Sequence, residues 1–245
     1  MSKPLVIIDP GHGGKDPGGG TNAYWQEKKM NLDMSLYQYE RFQELGVSVA
    51  LTRDSDITLT AGTRTQIVRE SGARICLSNH INAGGGEGAE VIHSIHRSNK
   101  FAKLILDEIV KAGQKGRRVY ARVSSYDQKR DYYYMHRETG SAETVIIEYG
   151  FADHEKDAQR LLNNWQNYGE AVVKAVCSYI NHPYSEQPLT DQWKYEGLHY
   201  LYENGLLTDY EAWKKKIDEP MPVWAAATLL RKVYESLTMK IENKS

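Results

Sequence analysis

The sequence predicts an α/β fold with a twisted, mainly parallel sheet and helices on both faces, followed by a small all-α C-terminal domain. Up to about residue 182, short apolar runs alternate with longer helical stretches, which is typical of a sheet covered on both faces. A segment with two prolines interrupts this alternation, and helical periodicity follows it. At 245 residues, of which 40% are hydrophobic, the chain can form one α/β core and a second, smaller unit.

Five apolar or alternating runs are predicted to be strands. They cover residues 5–8, 47–51, 74–78, 89–93 and 144–148. Four stretches between and after these runs are predicted to be helices, at 28–45, 61–71, 99–112 and 165–180. Each of the first three helices ends beside a glycine, which is a frequent residue at helix C-termini.

The predicted domains are 1–182, a linker at 183–190, and a small helical domain at 191–245. The second domain holds three of the five tryptophans. A unit of this size needs large aromatic side chains for its core, so each tryptophan is interpreted as core. The alternative is that exposed aromatics form a ligand-binding surface.

Composition excludes several classes of function. A net charge of −1 provides no overall basic field for nucleic acid. No apolar stretch approaches the length of a membrane span, so an integral membrane protein is not expected.

Cys76 and Cys177 form no Cys-x-x-Cys pair and are expected to be free thiols in a reducing compartment. The first strand begins near residue 4 and leaves no room for a signal peptide, so folding in the cytoplasm is expected.

One local charge cluster stands out between Lys111 and Arg130. This stretch carries seven lysines and arginines against the single acidic residue Asp127. Such a cluster could attract an anionic substrate, or it could be an ordinary solvated loop. The sequence leaves both interpretations open.

The first apolar run stops at Asp9 and is followed by His12 in a glycine-rich turn. Sites in α/β proteins commonly form at the carboxyl ends of strands, and glycines allow the backbone to turn beside an ion. A phosphate-binding loop does not fit, because Lys15 is followed by Asp16 rather than by Ser, Thr or Gly. A metal cation suits these residues better, although a plain turn histidine is the alternative.

A second histidine, His80, follows the third strand and also precedes a glycine run, while Glu27 opens the first helix. Two imidazoles and one carboxylate form the ligand set of a hydrolytic zinc ion with an open position for water. Glu148 closes the last strand and could act as the base, since an unpaired carboxylate is costly to bury. The alternative for Glu148 is an edge glutamate paired with an arginine.

Four separated motifs together resemble one enzyme family. They are Asp9-Pro-Gly-His-Gly-Gly14, Glu27, Ser78-Asn-His-Ile-Asn-Ala83 and Glu148-Tyr-Gly-Phe151. Over about residues 4–180 the chain resembles the zinc-dependent N-acetylmuramoyl-L-alanine amidases of the third type, which occur in bacterial autolysins and phage endolysins. The family implies hydrolysis of the amide between N-acetylmuramic acid and the L-alanine of the peptidoglycan stem peptide.

Carried over to this sequence, the resemblance implies that Zn²⁺ is bound by His12, Glu27 and His80. Zinc lowers the pKa of bound water to about 7. The implied catalytic residue is Glu148, which would take the proton of that water and deliver it to the departing amine. Tyr149 stands where the family frequently has cysteine. This departure changes no proposed ligand and is not expected to affect activity, although Tyr149 could reshape the pocket.

The resemblance also implies a setting. A chain without a signal peptide and with a C-terminal unit resembles a phage endolysin, which stays in the host cytoplasm until release and then reaches a Gram-positive cell wall. A mother-cell autolysin would look similar. Two competing hypotheses for the activity are a zinc peptidase that cuts within the stem peptide and a catalytically inactive wall-binding protein.

Two further polar residues have open roles in this interpretation. Asn82 could orient His80 or hold substrate. His136, in an aromatic segment before the last strand, could line the cleft or only pack in the structure.

Overall fold

The computed structural model describes residues 3–185, 192–217 and 219–242. The strands are β1 Val6–Pro10, β2 Val49–Leu51, β3 Ile75–Asn82, β4 Ala89–His93, β5 Gly116–Tyr120 and β6 Glu143–Phe151. The helices are α1 Glu27–Glu44, α2 Ala61–Ser71, α3 Lys100–Lys111, α4 Tyr134–Arg137, α5 Glu155–Tyr179, α6 Gln192–Glu203, α7 Tyr210–Lys215 and α8 Val223–Glu242.

The six strands form one sheet in the order β2-β1-β3-β6-β4-β5. All neighbouring strands are parallel except β4 and β6. The exception follows from connectivity. A short loop reverses the chain between β3 and β4, and β6, which lies between them in the sheet, runs parallel to β3 and therefore antiparallel to β4. The predicted mainly parallel α/β sheet is confirmed.

Helices cover both faces of the sheet. On one face, α1, α3 and α5 contribute Met34, Phe101 and Val172 to the larger buried cluster. On the other face, α2 and α4 contribute Val68 and Met135 to a smaller cluster. The smaller cluster includes Cys76 and Ile146, which lie on the same face of the sheet as His80 and Glu148 further along β3 and β6. This face therefore contributes both to the core and to the site described below.

Two strands continue at least three residues beyond their predicted ends. The strand β3 continues to Asn82, so His80 lies within it rather than beyond its end. The strand β6 continues to Phe151, so Glu148 lies inside it rather than at its last position. Within the ladder, His80 is the register partner of Glu148. The side chains of register partners stand on the same face of a sheet, and the two functional residues are therefore neighbours.

The chain divides into two compact units, Met1–Ser185 and Glu186–Ser245. The predicted linker at 183–190 falls mostly on residues 186–190, which lie outside the described residues, as does residue 191.

The described residues of the second unit contain the helices α6, α7 and α8, and Leu198, Leu207 and Ala225 are among its buried residues. Trp213 and Trp224 line an apolar cavity of about 680 Å³. Trp224 is 73% exposed, which favours the binding-surface interpretation for this tryptophan over the core interpretation. No helix in the described ranges has the length and apolarity needed to cross a membrane.

A buried ion pair lies beneath the site. The Asp9 carboxylate of β1 is fully buried and accepts hydrogen bonds from Arg64 (2.6 Å), Thr52 (2.7 Å) and Ser78 (2.8 Å). Burial alone would raise the pKa of Asp9, but these donors, Arg64 above all, hold it below its ordinary value. The pair joins the end of β1 to the first turns of α2.

The same arginine fixes the backbone that carries His12. Arg64 donates to the carbonyls of Pro10 and His12, both at 2.8 Å, and Arg53 donates to the carbonyls of Pro10 (3.0 Å) and Gly11 (2.9 Å). His12 itself has a φ of 61°, a left-handed conformation that costs a non-glycine residue about 1–2 kcal/mol. The two guanidinium groups offset this cost by satisfying the carbonyls of the turn.

We predict that Asp9→Asn lowers the free energy of unfolding by about 3–5 kcal/mol, because it leaves the buried Arg64 without its counter-ion. The difference from wild type should be complete above pH about 4, the unfolded pKa of an aspartate. It should shrink as the pH falls through the lower folded pKa. Urea denaturation followed by circular dichroism measures both effects.

Asp33→Asn is the matched control, since it breaks the exposed ion pair of Asp33 with Lys29 (2.6 Å). It should cost less than about 1 kcal/mol. Equal losses of unfolding free energy in the two variants would mean that the buried ion pair stabilises the fold no more than the exposed one does.

Candidate metal centre

Three predicted ligands meet at one edge of the sheet. His12 comes from the loop after β1, Glu27 is the first residue of α1, and His80 lies in β3. Each offers one ligand atom, and these atoms lie within 4.8 Å of one another. Glu27 Oε1 is 3.1 Å from His12 Nε2 and 3.2 Å from His80 Nδ1. The structure thus brings all three together.

Neighbouring groups orient these ligands. His12 Nδ1 lies 2.8 Å from the Asp16 carboxylate, which leaves Nε2 facing Glu27. Glu27 Oε2 accepts from the Gly20 amide (2.7 Å), and Oε1 accepts from the Ile81 amide (3.1 Å). Carboxylates and backbone groups that orient ligand side chains in this way are typical of metal sites.

Glycines allow this close packing. A Cβ at Gly11 would lie 2.3 Å from the His80 ring, and a Cβ at Gly18 would lie 2.3 Å from Glu27 Oε2. Neither position tolerates a side chain unless the predicted ligand moves. The glycine-rich turns are therefore required by the approach of backbone to ligand side chains.

The electrostatics of the group suit a cation. Although Glu27 is buried, the two imidazoles hold its pKa well below the usual range. Burial lowers the pKa of His12, but the Glu27 and Asp16 carboxylates outweigh it and raise the value to about 9. Two imidazole nitrogens and one carboxylate oxygen are a donor set that zinc prefers, and metal binding would displace the proton held between them. The residues present therefore fit a zinc ion.

Glu148 lies in the sheet beside this group, in register with His80. Its Oε2 is buried and makes no hydrogen bond within the described part of the chain. Burial raises its pKa to about 7, with the Glu27 and Glu90 carboxylates acting in the same direction and His80 opposing them. A carboxylate with this pKa can accept and return a proton near neutral pH.

The pairing with arginine that was the alternative for Glu148 is made by Glu90 instead. Glu90 of β4 is fully buried, is the register partner of Glu148, and forms ion pairs with Arg117 and Arg118. Asn82 donates to Glu90 Oε2 at 3.3 Å. Asn82 thus contacts Glu90, the neighbour of Glu148 in the sheet.

Two other interpretations are not supported by the structure. His136 lines a cavity of about 390 Å³ together with Thr144, at the start of β6 and away from Glu148. The Tyr149 hydroxyl is buried, accepts from Gln38 at 2.8 Å and donates to Asn79 at 3.0 Å. The expectation that Tyr149 reshapes the pocket is wrong, because it alternates with Glu148 along β6 and points to the opposite face.

Glu90 is the functional-site neighbour that sequence reasoning missed. Its signal was an acidic residue inside the apolar run Ala89–His93. A buried carboxylate needs a counter-charge, and the adjacent pair Arg117 and Arg118 was available to supply it.

Comparison with known proteins identifies the family. Residues 6–181, most of the chain, match the family described as N-acetylmuramoyl-L-alanine amidase (Amidase_3). The chain belongs to this family. Members of the Amidase_3 family are zinc-dependent, in agreement with the His-Glu-His group described above.

Three similar proteins illustrate the extent of the match. N-acetylmuramoyl-L-alanine amidase CwlM of Bacillus licheniformis is 32% identical over 166 residues, or 64% of this chain and 60% of CwlM. The catalytic domain of the amidase CwlV from Bacillus (Paenibacillus) polymyxa superposes with a TM-score of 0.64 at 25% identity, covering 73% of this chain and 98% of that structure. The endolysin of Bacillus phage SPP1 is 34% identical over 99 residues, which is 40% of this chain and 36% of the endolysin.

We predict that the zinc-loaded protein holds one zinc ion and that Asp16→Asn lowers its zinc affinity about 10- to 100-fold, because His12 loses its orienting carboxylate. Competition with a chromophoric chelator measures the affinity.

His154→Ala is the control, since it alters a second group of ionisable side chains, Glu87, His154 and Asp157. Lys115 and Arg160 already neutralise the two carboxylates of that group. Zinc affinity should be unchanged in His154→Ala. An unchanged affinity in Asp16→Asn would contradict the assigned orientation of His12.

Proposed function

We propose that this chain hydrolyses the amide bond between N-acetylmuramic acid and the L-alanine of the peptidoglycan stem peptide. The observation that carries the proposal is the meeting of ligand atoms of His12, Glu27 and His80 within 4.8 Å, beside Glu148, whose buried Oε2 has no hydrogen-bond partner among the described residues. Membership of the amidase family supports the choice of substrate.

In this proposal His12, Glu27 and His80 hold a zinc ion, which supplies a Lewis acid at the reacting carbonyl. Glu148 accepts a proton as water adds to the carbonyl carbon of the lactyl group. It then returns that proton to the nitrogen of L-alanine as the carbon–nitrogen bond breaks. The products are a muramic acid carboxylate and a stem peptide with a free amino terminus.

The products separate this function from its main alternative. Mass spectrometry of fragments from purified Gram-positive peptidoglycan should find free stem peptides that begin at L-alanine. Addition of a chelator should abolish their release. Cleavage within the stem peptide would instead favour the zinc peptidase, and no release from several wall types would favour an inactive wall-binding protein.

We predict that Glu148→Ala lowers turnover of a soluble muramoyl peptide by at least about 10²-fold while zinc content stays at the wild-type value. Turnover falls because the proton acceptor is lost, and zinc stays because the three ligands remain. Zinc is measured by atomic absorption after gel filtration. Loss of zinc together with activity would make Glu148 a ligand and the proposed role wrong.

We further propose that the chain is a phage or prophage endolysin that remains in the host cytoplasm until release and then acts on a Gram-positive wall. Cys76 and Cys177 are free and buried, which fits folding in a reducing compartment. The partial match to a phage endolysin supports the origin. A mother-cell autolysin is the competing assignment.

The second unit is proposed to bind the cell wall, with the exposed Trp224 and its neighbouring cavity as the contact surface.

We predict that the full chain sediments with purified Gram-positive walls and that a chain ending at Ser185 does not. Hydrolysis of a soluble muramoyl peptide should be similar for both, since the metal centre lies within the first unit. Equal sedimentation of both chains would contradict a targeting role.

A further inference from the structure

Four side chains form a row across one face of the sheet. His80 of β3 is in register with Glu148 of β6, Glu148 with Glu90 of β4, and Glu90 with Arg118 of β5. Register partners share a face, and neighbouring strands lie about 4.8 Å apart. The backbone of Arg118 is therefore about 10 Å from that of Glu148 along this row.

A local irregularity places two arginines on one carboxylate. Ala89 pairs with Gly116, whereas the next residue, Glu90, pairs with Arg118, so β5 carries one extra residue at this point. Bulges of this kind re-aim side chains and are frequent beside active sites. As a result, adjacent residues Arg117 and Arg118 both reach Glu90. Two positive charges meet one negative charge, and the cluster keeps a surplus positive charge.

Arg118 is held in place and still accessible. Its Nε donates to Glu90 Oε1 at 2.7 Å, and its guanidinium lies 4.2 Å from the centre of the Tyr120 ring. Tyr120 is held in turn by a 3.2 Å contact between its hydroxyl and that of Tyr133. The Arg118 side chain is 52% exposed, and its two terminal nitrogens make no hydrogen bond to any residue that the structure describes. These nitrogens can therefore bind an external anion.

We propose that Arg118 forms a carboxylate-binding site for the stem peptide, on the side of the cleft away from the metal ligands. This inference rests on the proposed amidase function. An extended peptide advances about 3.3–3.6 Å per residue, so a chain that leaves Glu148 along the row brings its next residues to Arg118. Guanidinium groups with two free terminal nitrogens favour carboxylates, which they bind through paired hydrogen bonds.

The test uses two synthetic muramoyl tripeptides that differ only in the α-carboxyl of the second stem residue, which is a free carboxylate in one and a carboxamide in the other. Calorimetry with the zinc-loaded Glu148→Ala chain measures binding without turnover. We expect the carboxylate form to bind about ten-fold more tightly, the scale of a charge-assisted hydrogen bond at a partly exposed site. Adding Arg118→Gln should remove this preference, while Glu90 keeps its pairing with Arg117.

Arg122→Gln is the matched control. Arg122 is also exposed and stacks on a tyrosine, 3.7 Å from the centre of the Tyr132 ring, but it lies beyond the end of β5. It should leave the preference unchanged. Equal binding of the two peptides to the parent chain, or loss of preference in both arginine variants, would overturn the proposal.

Hydrolysis by the chain with Glu148 intact separates this inference from the proposed function. We expect the carboxylate peptide to have a KM about ten-fold lower than the carboxamide, with similar kcat, because the contact is made equally in the ground and transition states. Selective binding without any hydrolysis would contradict the amidase function and leave the carboxylate site standing. Hydrolysis of both peptides with equal KM would overturn the carboxylate site alone.

Discussion

The buried ion pair between Asp9 and Arg64 is the interaction on which the rest of the site depends. It ties the end of β1 to α2, and through Arg64 it also holds the carbonyl of His12. A left-handed histidine in a glycine-rich turn would otherwise have many conformations available. Because Arg64 holds the backbone of this turn, His12 Nε2 lies 3.1 Å from Glu27 Oε1. The metal-ligand group is therefore preorganised for an ion.

Two adjacent carboxylates on the same sheet face have different environments and different roles. Glu90 is neutralised by two arginines, whereas Oε2 of Glu148 has no hydrogen-bond partner in the described structure. Glu148 has a raised pKa and can exchange a proton. Glu90 instead positions the guanidinium of Arg118. A difference in local environment thus divides two roles between two acidic side chains of one site.

Much of this arrangement was predictable because the ligands lie where apolar strands meet glycine-rich turns, at His12 and His80. The strand β5 was missed, since its sequence Gly-Arg-Arg-Val-Tyr has the polar character of an exposed edge strand. The bulge in β5 was also not predictable, because it depends on pairing with β4 and not on local sequence. Helix α5 begins at Glu155 rather than near Trp165, with a kink at Asn164 that the helical pattern does not reveal.

X-ray absorption spectroscopy of the zinc-loaded full chain tests the central claim most directly, because it reports the atoms bound to the metal. We expect two imidazole nitrogens at about 2.0–2.1 Å, carboxylate and water oxygens, and no sulfur. His80→Ala should remove one imidazole from the spectrum. A sulfur shell from Cys76 or Cys177, or a spectrum that His80→Ala leaves unchanged, would contradict the proposed metal centre.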